Sequence, residues 1–140
     1  MKATMSRENL DYLYKQVVGT FPEEGCGLLA GYGDDERIIL GTHQLENGLA
    51  DERYRKYLIP PTDYRRAAQT FSSEGLEIVG VYHSHPDGST APSGEDLRAA
   101  WPWLMYLIIG VKDGKVLGYA AWVLRNDRSG FDPVEHLVGA

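Results

Sequence analysis

Short apolar, β-branched runs interleaved with two or three helical stretches predict an α/β (α+β) sandwich. Three observations carry that expectation. Leu10, Leu13, Tyr14, Val17 and Val18 recur at the spacing that lines one face of a helix. Ile78-Val79-Gly80-Val81-Tyr82-His83 is an unbroken apolar run of strand length. Asp113-Gly114 divides two further apolar runs, and an Asp-Gly pair there is the strongest short-range hairpin signal.

Taken in order, Ser6 is placed to cap the first helix and Gly19 to stop it. Beyond Pro22, Cys26 to Gly31 is a short apolar run bounded by glycines, expected as a buried strand. Gly31-Tyr32-Gly33, with Asp34 and Asp35, reads as the turn into a strand over Arg37 to Leu45; it is no phosphate loop, because neither Lys nor a helix start follows. Asn47 to Pro61 is a mixed polar loop whose Arg53, Tyr54, Arg55 and Tyr57 suggest a flap, with Tyr57-Leu58-Ile59 as a short strand. Thr62 is expected to cap a second helix that turns Tyr64, Ala67, Ala68 and Phe71 inward and ends at Gly75. After the strand that reaches His83, Pro86 to Pro92 is loop by composition. Ser93 then fits an N-cap, with Asp96 three residues on. The hairpin strands run from Trp103 to Lys112 and from Lys115 to Leu124, and a last strand covers Val134 to Val138. Trp101, Trp103 and Trp122 are assigned to the core or a surface groove, and His43 and His136 to structural roles.

No repeat, linker or low-complexity segment divides the 140 residues, so one domain spanning 1–140 is expected. Apolar residues at 43% and charged ones at 24% are those of a foldable chain rather than a disordered one. Fourteen basic against twenty acidic residues leave a net charge of −6, which argues against gripping nucleic-acid phosphates. No apolar run approaches the roughly 18–20 residues of a membrane-spanning helix, and residues 1–8 carry no secretory signal pattern. A single cysteine, Cys26, can form neither an internal disulfide nor a Cys-rich zinc cage; a reduced cytoplasmic protein is expected, with Cys26 a small buried residue rather than a nucleophile.

His83 and His85 stand at the end of a predicted strand, where residues two apart project from one face and aim two imidazoles at one point. Alone, the pair is equally consistent with two histidines on a solvated strand end. Asp96, at the first turn of the next predicted helix, adds a carboxylate; read by itself it is a capping residue. Two His and one carboxylate leave the fourth position of a tetrahedral zinc site open to water, and the mixed N/O set suits zinc better than magnesium.

The string His83-Ser84-His85-Pro86, followed by Pro92-Ser93-Gly94-Glu95-Asp96, resembles the signature of the JAMM (MPN-plus, Mov34-like) zinc metalloprotease family. Glu23-Glu24-Gly25-Cys26-Gly27 is similar to that family's upstream Glu-x-Cys-Gly segment, and Gly80-Val81-Tyr82 before the first histidine also matches, so the resemblance extends over most of the chain. It implies a cytidine-deaminase-like sandwich with a mixed central sheet. It also implies one Zn2+ per chain on His83, His85 and Asp96 with water as fourth ligand. Glu24 would be the general base towards that water, with Glu23 its competitor on register to Cys26, and Ser93 would hold the oxyanion.

The compact length looks like the stand-alone prokaryotic branch. The implied reaction is hydrolysis of the amide bond after a C-terminal Gly-Gly of a small ubiquitin-like sulfur carrier protein, releasing cysteine or a short extension. A narrow groove and strand addition of the tail to a sheet edge would suit such a substrate. No nucleic-acid or membrane partner is expected, and a homo-oligomer is compatible with the sequence. The rival readings are a hydrolase of the same fold acting on other peptides, a DNA-repair-associated relative, and a silent scaffold that binds partners. The scaffold would have lost ligands, whereas Glu24, His83, His85 and Asp96 are all present.

Overall fold

The structure is a computed structural model that describes the backbone of residues 1–139 and side chains up to Glu135. Its elements in chain order are β1 (Lys2–Ser6), α1 (Arg7–Thr20), β2 (Cys26–Gly33), β3 (Glu36–Leu45), α2 (Pro61–Ser73), β4 (Glu77–His85), α3 (Gly94–Ala99), β5 (Met105–Lys112), β6 (Lys115–Leu124), β7 (Phe131–Pro133) and β8 (Glu135–Gly139). The strands form one mixed sheet in the order β7-β6-β5-β4-β2-β3-β1-β8, parallel at β4–β5, β1–β3 and β1–β8 and antiparallel elsewhere. The expected α+β layering with a mixed sheet and three helices is borne out. Among the described residues, no helix is long and apolar enough to cross a membrane.

Each face of the sheet has its own apolar cluster. On one, Leu10, Leu13 and Val17 of α1 meet Leu29, Ile39, Val79, Tyr82, Leu107 and Ile109. On the other, Ala67 and Phe71 of α2 meet Leu28, Ala30, Ile78, Val81 and Tyr106. Leu13 is completely buried, worth roughly 1.5–3 kcal/mol of transfer free energy. Two polar groups sit in the first core as a pair: the Tyr82 hydroxyl donates to Gln16 Oε1, in space that exists because Gly27 has no Cβ.

Several sequence expectations need correction. Ser6 does cap α1, accepting from the Asn9 N–H at 3.1 Å, but Gly19 does not stop the helix, which continues through Thr20. Gly31 and Tyr32 belong to β2 rather than to a turn; the reversal is confined to Asp34 and Asp35. Tyr57-Leu58-Ile59 forms no strand: the Leu58 carbonyl accepts the Gly48 N–H at 2.8 Å, but the Leu58 N–H goes to the Asn47 side chain, so no ladder continues. Helix α2 begins at Pro61, ahead of Thr62, since proline's missing N–H costs nothing in the first turn. Strand β5 begins at Met105 rather than Trp103, whose φ of 76° breaks the extended run. Trp101 is 65% exposed and Trp103 packs over the Arg37 guanidinium, so neither is core. Two strands went unforeseen, β1 and β7. The Asp113-Gly114 hairpin is as expected, with φ of 52° and 75° at its two central residues. The side chain of His136 lies outside the described residues.

Candidate metal centre

The register of β2 against β4 assembles the site. Cys26 pairs with His83, so Gly25 lies beside Ser84 and Glu24 comes to the level of His85 at one end of the sheet. The Ser84 hydroxyl accepts the Gly25 N–H at 2.8 Å, and the Ser84 N–H donates to the Gly25 carbonyl at 3.0 Å. Alternation places His83 and His85 with Val81 on the α2 face, while Ser84 follows Tyr82 to the α1 face. The parallel crossover from β4 to β5 contains α3, whose first turn brings Asp96 back over the histidines. Ser93 caps that helix through a reciprocal pair: its Oγ accepts the Asp96 N–H at 3.1 Å and its N–H donates to Asp96 Oδ2 at 2.8 Å.

Three donor atoms converge. His83 Nε2 lies 3.1 Å from His85 Nε2 and 3.1 Å from Asp96 Oδ1, and His85 Nε2 lies 3.0 Å from Asp96 Oδ2. Glu24 joins them, its carboxylate and the two imidazoles offering atoms all within 4.8 Å of one another. Either a shared proton or a common cation satisfies two imidazole nitrogens at this range, and the spacing matches the roughly 3.3 Å that separates ligands of one tetrahedral zinc ion. Buried Glu24 Oε1 has no hydrogen-bond partner, a cost that a nearby cation offsets. The residues present therefore fit a divalent metal.

The electrostatics agree with that fit. Burial pushes the Glu24 carboxyl up to about 8, with Asp96 and Asp87 adding to the rise and His85 opposing it. Burial alone would also raise Asp96, but the bonds with His83, His85 and the Ser93 N–H together hold it well below the usual carboxylate range. Complete burial pushes His83 down, against the pull of Asp96. His85 moves up, because Asp96 and Glu24 outweigh its own burial. Cys26 is buried and its thiol pushed up to about 12 by desolvation, which leaves no reactive thiolate.

Five sequence-predicted residues thus come together: Glu24, His83, His85, Ser93 and Asp96. Glu23 does not join them; its carboxylate points to Arg53 at 3.6 Å and stays half exposed. His43 is exposed, edge-on to Phe71, away from the site. A cavity of about 420 Å³ opens over the centre, lined by Glu24, Tyr54, Arg55, His85, Ser89 and Ser93 among others. Sequence reasoning missed three supports. Ser89 Oγ sits 2.9 Å from His85 Nδ1, and the Arg53 carbonyl accepts the Glu24 N–H at 2.6 Å. The Tyr57 ring stacks on His83. Ser89, four residues beyond His85 in a turn closed by Asp87, carried a local signal; Arg53 and Tyr57 were legible only as members of the suggested flap, because their partners lie 29 and 26 residues away.

A family model described as prokaryotic homologs of the JAB domain matches residues 6–125. The chain belongs to this family. It is 34% identical over 111 residues to a protein of Haloferax volcanii named desampylase, covering 79% of this chain and 78% of that one. It is 36% identical over 89 residues to a probable TtuB-protein conjugate cleaving protease of Thermus thermophilus, covering 64% of this chain and 57% of the relative. The fold is also that of a JAB1/MPN domain protein from Archaeoglobus fulgidus, which superposes with a TM-score of 0.61 at 21% identity over the whole of both chains. The JAB/MPN resemblance drawn from the metal-loop motif is therefore borne out at the level of family and fold.

Proposed function

We propose that this chain is a metal-dependent peptidase or isopeptidase that hydrolyses ubiquitin-like protein conjugates, with zinc held by His83, His85 and Asp96. The observation that carries the proposal is the convergence of those three donors beside a buried carboxylate that has no partner of its own. Two relatives, one named desampylase and one a conjugate cleaving protease, support the conjugate as substrate.

A bound zinc ion supplies Lewis-acid polarisation of an amide carbonyl and lowers the pKa of water to about 7. The remaining work falls to the chain. Glu24, buried at the level of His85 with its Oε1 free of other partners, is the group placed to take a proton from the attacking water and deliver it to the leaving nitrogen, and a cation on the histidines would hold it ionised for that task. Ser93 Oγ already accepts the Asp96 N–H, which orients its own O–H to donate to the developing oxyanion at the lip of the cavity. Ser84 and the Arg53 carbonyl hold the backbone on either side of Glu24, fixing the base against the histidines.

More finely, the ubiquitin-like partner is a small sulfur carrier and the cleaved bond follows its terminal Gly-Gly. A reduced, cytoplasmic setting suits the free, buried Cys26. The test is intact-mass analysis of a ubiquitin-like sulfur carrier extended beyond Gly-Gly, incubated with zinc-loaded protein beside a chelated sample. Loss of the extension with the zinc-loaded protein alone is expected. Zinc bound without cleavage of this or any Gly-Gly-linked conjugate would overturn the substrate assignment, and failure to bind zinc would leave a binding scaffold in its place.

A further inference from the structure

We infer that Tyr57 is a positioning residue for His83, setting the plane of that imidazole by ring stacking; the inference rests on His83 being a metal ligand, as proposed above. The two histidines are oriented by different means. His85 has the Ser89 hydroxyl 2.9 Å from its Nδ1, so a hydrogen bond fixes its ring. His83 Nδ1 is buried and has no hydrogen-bond partner. Rotation of an imidazole about its second side-chain torsion is broad, so a ring held by polar contacts at Nε2 alone needs a second restraint to fix its plane. Tyr57 supplies it: the two ring centroids are 4.4 Å apart and the planes 25° from parallel. Turning the imidazole out of that plane drives its edge into the phenol face.

Tyr57 is itself clamped. Asn47 Nδ2 donates to the Lys56 carbonyl at 2.8 Å, and Asn47 Oδ1 accepts the Leu58 N–H at 3.1 Å, so one side chain grips the residues on both sides of Tyr57. The same Oδ1 accepts the Leu49 N–H at 3.1 Å, closing the loop on itself. An imidazole that has given its lone pair to a cation is electron-poor, and the π-face of a phenol attracts it. The stack thus favours the metal-loaded orientation of His83.

The test reads metal rather than turnover. Zinc affinity of the purified full chain is measured by chelator competition for wild type, Tyr57→Phe, Tyr57→Leu and Ile59→Ala, the last a loop residue packed on the same apolar cluster as Tyr57. Cobalt-substituted samples add an absorption spectrum sensitive to ligand orientation. Tyr57→Phe keeps the ring and should bind zinc within about twofold of wild type, while Tyr57→Leu should bind roughly 10–100-fold more weakly and shift the cobalt bands. Ile59→Ala should lower Tm and leave both readouts unchanged. Wild-type affinity and spectrum in Tyr57→Leu would overturn the inference, as would an equal loss in Ile59→Ala. If Tyr57→Leu does not fold, Asn47→Ala decides: a several-fold weaker zinc Kd supports the inference and an unchanged one overturns it. No substrate enters these measurements, so a chain that binds zinc through a Tyr57-dependent site yet cleaves nothing counts against the hydrolysis alone.

Discussion

The wall of the groove that runs from His83 to Asp96 hangs on paired strands and a capped helix, whereas the wall from Asn47 to Pro60 has neither strand nor helix and is held by isolated backbone bonds and by side chains. In the first, His83 and His85 are locked into β4 between β2 and β5, and Asp96 is fixed by its reciprocal bonds with Ser93. Even its loop is packed tightly: the Gly88 carbonyl lies against Gly110 of β5, where no Cβ fits, and Trp122 Nε1 donates to the Thr90 carbonyl at 2.9 Å. In the second, Asn47 makes three of the internal bonds beside the Gly48 N–H on the Leu58 carbonyl and a turn closed on the Glu52 carbonyl, and the loop reaches the site through the Arg53 carbonyl on Glu24 and the Tyr57 ring on His83. One wall binds and the other aligns, and their substitutions should separate accordingly.

The largest effects belong to the strand-borne wall. His83→Ala and Asp96→Ala should each abolish zinc binding and lower the cleavage rate by about a thousandfold or more, checked by metal content and single-turnover rate. If either variant keeps zinc and turns over, the donor set is misassigned. Ser93→Ala should cost about 10²–10³ in kcat through the lost oxyanion donor, and about 1 kcal/mol of stability through the lost cap. Loss of stability without loss of rate would reduce Ser93 to a cap.

How much of this contrast is legible in the sequence follows from the range of the contacts. His83, His85, Ser93 and Asp96 occupy one short stretch in which strand alternation, proline placement and a capping pattern all act locally. Glu24 is found through its spacing to Cys26, and its meeting with the histidines follows once β2 pairs with β4. The aligning wall has no periodicity to read; Asn47, Arg53 and Tyr57 acquire their roles from partners distant in sequence. Strand β1 escaped for a related reason: Lys-Ala-Thr-Met-Ser is too short and mixed to announce a strand, and it is one because β3 and β8 flank it.

Smaller effects sharpen the second wall. Asn47→Ala leaves the donor residues themselves in place but should weaken zinc binding and reduce kcat, each several-fold, by loosening Tyr57 and the Arg53 carbonyl, with a modest fall in Tm. A loss as large as that of Ser93→Ala would mean that the loop takes part in binding substrate. The pH dependence of stability addresses Glu24 itself in the metal-free protein. Its folded pKa of about 8 stands above the ordinary glutamate value of 4.5, so between those values the folded state keeps a proton that the unfolded chain has released. Stability from this group is therefore lost as pH rises through that window. Glu24→Gln removes the effect, so its Tm relative to wild type should climb from about pH 5 to about pH 8. A constant offset would show that burial does not perturb Glu24.

The central claim, that Glu24 moves protons beside a metal it does not hold, is tested most directly by measuring bound zinc and single-turnover cleavage together in Glu24→Gln. Its carboxylate lies close enough to both histidines to serve as a ligand instead, so the two roles must be told apart by experiment. The account predicts wild-type zinc content with a rate reduced by about 10²–10⁴. Loss of zinc would make Glu24 a ligand, and an unchanged rate would remove it from the mechanism.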